Sequence, residues 1–108
     1  MLTLPIKKKW FDMILSGEKK EEYREIKPYW TTRFRNDFGF PESDFNKYLE
    51  SGILDLEVEF KNGYSSNAPR FYANIHLVKG TGKKEWGAEL GKEYYVLQIM
   101  QIWTRREE

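Results

Sequence analysis

The hydrophobic period of this chain changes at Gly52, and that change restricts the folds open to it. Ahead of Gly52 the apolar side chains recur at helical spacing: Trp10, Met13 and Ile14 stand at i, i+3 and i+4, with Phe11 and Leu15 widening the stripe. Beyond Gly52 they alternate. Leu54, Leu56, Val58 and Phe60 interleave with Asp55, Glu57 and Glu59, and Phe71, Ala73, Ile75 and Leu77 with Tyr72, Asn74 and His76, the period of strands that bury one face. A chain of 108 residues has room for one core. The early helices must therefore pack on the later strands. The expected fold is α+β: one domain over residues 1–108, a small, mostly antiparallel β-barrel of about five strands with two to three short helices, without repeat or linker.

Punctuation along the chain supports this division. Residues 2–6 read as a short strand closed by Pro5, and residues 7–16 as a helix that Gly17 ends with a left-handed cap. Pro28 suits the first turn of a second helix, in which Trp30, Phe34 and Phe38 share a face until Gly39, Phe40 and Pro41 stop it. A third helix is expected over Glu42–Ser51, burying Phe45, Tyr48 and Leu49 and stopping at Gly52. Residues 80–84, Gly-Thr-Gly-Lys-Lys, read as a flexible basic loop. Residues 94–103 are nearly continuous hydrophobe, the pattern of a central strand covered on both faces.

Composition removes several classes of chemistry. With 18 Lys+Arg against 17 Asp+Glu, the net charge of +1 exerts no global pull on nucleic acid or anionic membrane, so any basic surface must be local. The absence of cysteine excludes disulfides, a thiolate nucleophile and zinc-cysteine sites, and a single histidine leaves no histidine-rich metal centre. Neither metal nor cofactor is expected. Lys7, Lys8 and Lys9 interrupt the apolar N-terminal run, so neither a signal peptide nor a membrane span fits, and a cytoplasmic location is expected. Aromatic residues reach 17%, more than so small a core requires; they either fill the barrel or offer stacking faces.

The strongest functional signal is Gly17-Glu18-Lys19-Lys20-Glu21-Glu22-Tyr23-Arg24, where helix gives way to strand. From Lys19 to residue 25, six of seven side chains carry charge, so the segment is either a solvated edge or the wall of a polar cleft. Strand parity puts Glu22 and Arg24 on one face, ~6.6 Å apart, and Lys19 on the other. All three converge only if Lys19 belongs to the turn after Gly17 or a bulge intervenes. Buried, Lys19 would act as a neutral base or as a cation for phosphate. On the alternative reading these charges neutralise one another along a surface ladder, at about 0 to 1 kcal/mol per pair.

Gly17, Lys19, Glu22 and Arg24 fit the pattern G-x-K-x-x-E-x-R in which the chain resembles the ASCH family (activating signal cointegrator homology), with Trp10, Ile14 and the closing strand in support. The resemblance spans essentially the whole chain and implies a PUA-like β-barrel with a cleft, beside the helix start and the octet, for RNA or modified nucleosides. One similar bacterial branch hydrolyses N4-acetylcytidine with a lysine, a threonine and a glutamate. Lys19 matches that lysine, but Glu22 stands where the threonine belongs, Thr31 and Thr32 do not occupy its position, and Glu85 and Glu89 both qualify as the distal carboxylate. Another branch is reported as ribonuclease.

Two functions follow as expectations. As a binding module for RNA or a modified nucleotide, the protein would place Lys7, Lys8, Lys19 and Arg24 on phosphate, Glu22 beside them, and Trp86 or Tyr23 on the base. As a small hydrolase on a modified nucleoside or RNA, it would use Lys19 and Glu22 as catalytic groups. Lys83 and Lys84 flank Trp86 and would guide a phosphate backbone; Trp10 is expected to pack on the barrel, and His76 is a lone histidine on a polar strand face. The octet and the helix before it would form the cleft.

Overall fold

The alternating segments form the sheet, and the helical ones cover it. A computed structural model of the chain describes residues 1–104. Its elements run β1 (Leu2–Pro5), α1 (Lys8–Leu15), β2 (Glu21–Glu25), α2 (Pro28–Phe38), α3 (Glu42–Ser51), β3 (Leu54–Lys61), β4 (Arg70–Thr81), a 3-10 turn at Lys84–Trp86, and β5 (Glu93–Trp103). The strands form one sheet in the order β1-β3-β4-β5-β2, with β1 parallel to β3 and the remaining pairs antiparallel. The sheet curls into a half-barrel whose two edges, β1 and β2, are not joined by a backbone ladder. Instead, the Arg24 guanidinium at one edge donates to the Pro5 carbonyl oxygen at the other, at 2.8 Å.

The core lies where period-two and period-3.6 faces meet. Phe11 of α1 packs edge-on against Phe71 of β4 with ring centroids 4.9 Å apart, and Phe34 of α2 meets Tyr95 of β5 in the same manner at 5.3 Å. Phe45 and Leu49 complete the cover from α3. A smaller apolar cluster, Tyr23, Ala88, Tyr94 and Val96, sits under Trp86 beside β2. No helix among the described residues is long and apolar enough to cross a membrane.

Two expectations about the second half change. β5 is covered on both faces only over Tyr94, Tyr95, Val96 and Leu97, whereas Met100 is 68% exposed. The cause is length: β2 pairs with β5 only from Tyr94 to Gln98, so the far half of β5 lacks a neighbour on that side. The basic segment 80–84 is not a loop throughout. Gly80 and Thr81 pair with Tyr94 and Glu93 as the end of β4, and Lys84 opens the 3-10 turn.

Candidate ligand-binding cleft

The turn after α1 resolves the parity conflict within the octet. Gly17 takes φ +85°, a left-handed conformation that other residues adopt only with strain, and its N–H donates to the Ile14 carbonyl at 3.0 Å. The Lys19 N–H then donates back to Met13 at 2.9 Å, so the chain reverses beneath the helix before β2 begins. Lys19 thus precedes the strand and is not bound by its alternation. Its side chain turns inward and is 1% exposed.

There the Lys19 ammonium lies 2.9 Å from Glu22 Oε1, donates to the Trp86 carbonyl oxygen, and stands 4.3 Å from the Trp10 ring centroid and 5.2 Å from that of Tyr23. The other Glu22 oxygen, Oε2, takes the Arg24 guanidinium at 2.5 Å. Arg24 also donates to the Tyr23 carbonyl at 3.0 Å, and its Cζ lies 5.2 Å from the Trp30 ring centroid. A buried carboxylate between two cations leaves one positive charge in a region shielded from water, where Coulomb interactions are stronger than at the surface. Burial lowers the Lys19 pKa from its ordinary value and the Arg24 charge adds to this, while Glu22 opposes both by charge and hydrogen bond.

The segment between β4 and β5 is seated on this cluster. The Lys83 N–H donates to Tyr23 Oη at 2.9 Å while the Tyr23 hydroxyl donates to Glu21 at 2.9 Å, and the Glu89 N–H donates to Tyr94 Oη at 2.9 Å. With the Lys19 bond to Trp86, these hold the segment at three places. Burial raises the Tyr23 pKa, keeping the phenol protonated as both donor and acceptor. Gly82 makes the seating possible, because a Cβ there would lie 2.5 Å from Tyr23 Cζ and 2.7 Å from Ala88 Cβ. Gly82→Ala is expected to cost about 1–3 kcal/mol in urea denaturation. An unchanged midpoint would mean that the segment is not packed on Tyr23.

These elements enclose an open cleft of 470 Å³ at the seam between β1 and β2. Of the residues singled out from sequence, Lys7, Glu22, Tyr23, Arg24 and Trp86 line it, together with Trp10. Lys19 lies behind that lining, its ammonium enclosed by Glu22, Trp86 and Trp10. Lys8 does not join them: on the exposed side of α1 it pairs with Asp12 at 2.6 Å, one turn along the helix. Between the two distal carboxylates, Glu89 lines the cleft and Glu85 does not. Lys83 lies over the Trp86 ring at 4.4 Å, and His76, outside the cleft lining, holds Asp55 at 2.7 Å.

Sequence reasoning missed Trp30, Tyr94, Glu25 and Lys92, all of which line the cleft. Trp30 fits the apolar face of α2, and only its position just after Pro28, close to the octet, hinted at more. The lining holds three bases, Lys7, Arg24 and Lys92, and three acids, Glu22, Glu25 and Glu89; Lys19 behind it leaves a surplus of one positive charge. Lys92 and Glu25 face each other at 3.6 Å. Trp10, Trp30 and Trp86, each half-buried, supply aromatic faces among these charges. No protein-family model matches the chain, and no curated protein or solved structure is significantly similar to it. Function is therefore read from the chemistry of the cleft.

Proposed function

We propose that the cleft binds the base of a ribonucleotide, ordinary or modified, alone or within single-stranded RNA, in a cytoplasmic ASCH-like domain. The observation that carries this reading is the set of three half-buried tryptophans around a weakly cationic floor. A nucleobase has apolar faces and an edge of donors and acceptors; the rings suit its faces, and the acids and bases of the lining suit its edge. A groove for duplex phosphates would need an excess of bases, whereas here acids and bases balance along the lining.

Three of the four tryptophans line the cleft, so binding is expected to quench intrinsic fluorescence. With Lys7 and Lys92 as phosphate contacts, the slope of log K against log salt for single-stranded RNA is expected near −1.4, about −0.7 per contact. Trp86→Ala and Trp30→Ala are each expected to weaken binding by about 5- to 150-fold, the range of one lost base stack. If neither RNA oligonucleotides nor nucleotides quench fluorescence at millimolar concentration, the proposal fails.

One observation favours a hydrolase instead: the lowered pKa of Lys19 beside a carboxylate at the cleft. That route would use Lys19 and Glu22 as its catalytic groups. Binding is the stronger reading because both Glu22 oxygens are engaged by cations and the Lys19 ammonium already holds two acceptors. Thr31 bonds to Tyr95 Oη at 2.6 Å and does not line the cleft. Mass spectrometry after incubation with N4-acetylcytidine separates the two readings: turnover above a Glu22→Gln control would favour hydrolysis.

A further inference from the structure

A second recess of 380 Å³ adjoins the cleft and shares Pro5, Ile6 and Lys7 with it; Asn62, Gly63 and Tyr64 form its other side. Both volumes fall within the range of about 300–1,000 Å³ typical of single-ligand sites. Lys7 stands at the boundary. It is exposed and has no carboxylate partner among the described residues, whereas Lys8 is paired with Asp12 and Lys92 with Glu25. It also precedes the first turn of α1, where the backbone N–H groups and the helix dipole favour an anion.

The far side of the recess is held in place. Asn62 Nδ2 donates to the Ile6 carbonyl at 2.9 Å, the Ile6 N–H donates to Lys61 at 3.0 Å, and the Asn62 N–H donates to Pro69 at 2.9 Å. The turn between β3 and β4 is thereby tied to the bend between β1 and α1. On that anchored turn Tyr64 is 89% exposed, an aromatic ring with no part in the core. Two recesses, a free ammonium between them and a tyrosine on the outer rim have the layout of one dinucleotide step: base, phosphodiester, base.

Resting on the reading of the first cleft as a nucleotide site, we propose that its ligand is a strand rather than a free nucleoside, with the adjoining nucleotide stacked on Tyr64 and the linking phosphodiester on Lys7. The test compares the four ribonucleoside 5′-monophosphates with ApA, CpC, GpG and UpU by tryptophan quenching, on the intact chain and on Tyr64→Ala. A dinucleoside monophosphate carries less phosphate charge than a mononucleotide, so tighter binding must come from the second nucleoside. The dinucleotide is expected to bind about tenfold more tightly, and Tyr64→Ala to abolish that advantage while leaving the mononucleotide unchanged. Lys7→Gln should weaken the dinucleotide and flatten its salt dependence. If mononucleotides bind as well as dinucleotides, or Tyr64→Ala has no effect on either, the second site is overturned and the first survives. If neither ligand binds, both readings fall together.

Discussion

Replacing Glu22 with glutamine is expected to remove about 3–5 kcal/mol of folding free energy near neutral pH, a large share of the 5–15 kcal/mol that holds a typical domain together. The amide preserves the shape of the side chain but not its charge, which leaves the Lys19 and Arg24 cations facing a neutral group in a nearly dry site. The pH dependence identifies the cause. Burial already lowers the Lys19 pKa below 10.5, and Glu22 is the main group opposing that shift, with Glu21 a smaller one, so the variant must lower it further. Between the folded pKa and 10.5 the unfolded chain binds more protons than the folded one, and stability rises with pH across that window. The window is wider in Glu22→Gln, so its deficit should shrink as the pH rises towards about 10. Tyr23 acts oppositely: its raised pKa gives stability that is lost above the ordinary phenol value of 10.0, so the urea series should stop there. A loss below about 1 kcal/mol, independent of pH, would show the triad to be an ordinary hydrated surface pair.

Lys19→Met is expected to cost about 3 kcal/mol, and Lys19→Ala more because a cavity then adds to it. Methionine retains an apolar stem against Trp10 and Tyr23 but supplies no proton to Glu22 or to the Trp86 carbonyl. Glu22 keeps its 2.5 Å contact with Arg24, which is why this change should cost less than Glu22→Gln. Hydrogen exchange gives the local signature: the amides of Lys83 and Glu89, protected through Tyr23 and Tyr94, should exchange faster once the Trp86 anchor is gone. Lys19→Arg should not rescue the variant, since a planar guanidinium does not fit the enclosure of a compact ammonium that is 1% exposed. Full stability in Lys19→Met would mean that the ammonium contributes nothing to seating the segment between β4 and β5.

Much of the scaffold was legible because its signals are local. The 3.6-residue stripe of Trp10, Met13 and Ile14 and the glycine after it produce α1, and the alternation from Leu54 to Phe60 produces β3. Part of the octet, Glu22, Tyr23 and Arg24, lines the cleft, and the requirement that Lys19 lie in the turn after Gly17 is met. The charge density of residues 19–25 admits a solvated ladder or a cleft wall equally well. Burial of Lys19 and Glu22 depends on groups as distant in sequence as the Trp86 carbonyl, and no local pattern announces a distant acceptor. Trp30 was missed for a related reason: an aromatic residue on an amphipathic helix looks like core until the neighbouring guanidinium is known.

Periodicity, glycine caps and the absence of cysteine set the α+β class, the element order and the chemistry that is ruled out, since each depends on side-chain spacing along a continuous backbone. The cleft itself arose from three-dimensional assembly. It needed a sheet too short to close, an arginine reaching from one open edge to a carbonyl on the other, and a distant segment folded over a buried ammonium. Such contacts form between residues remote in the chain, where desolvation leaves a charge stable only if partners from several elements arrive together.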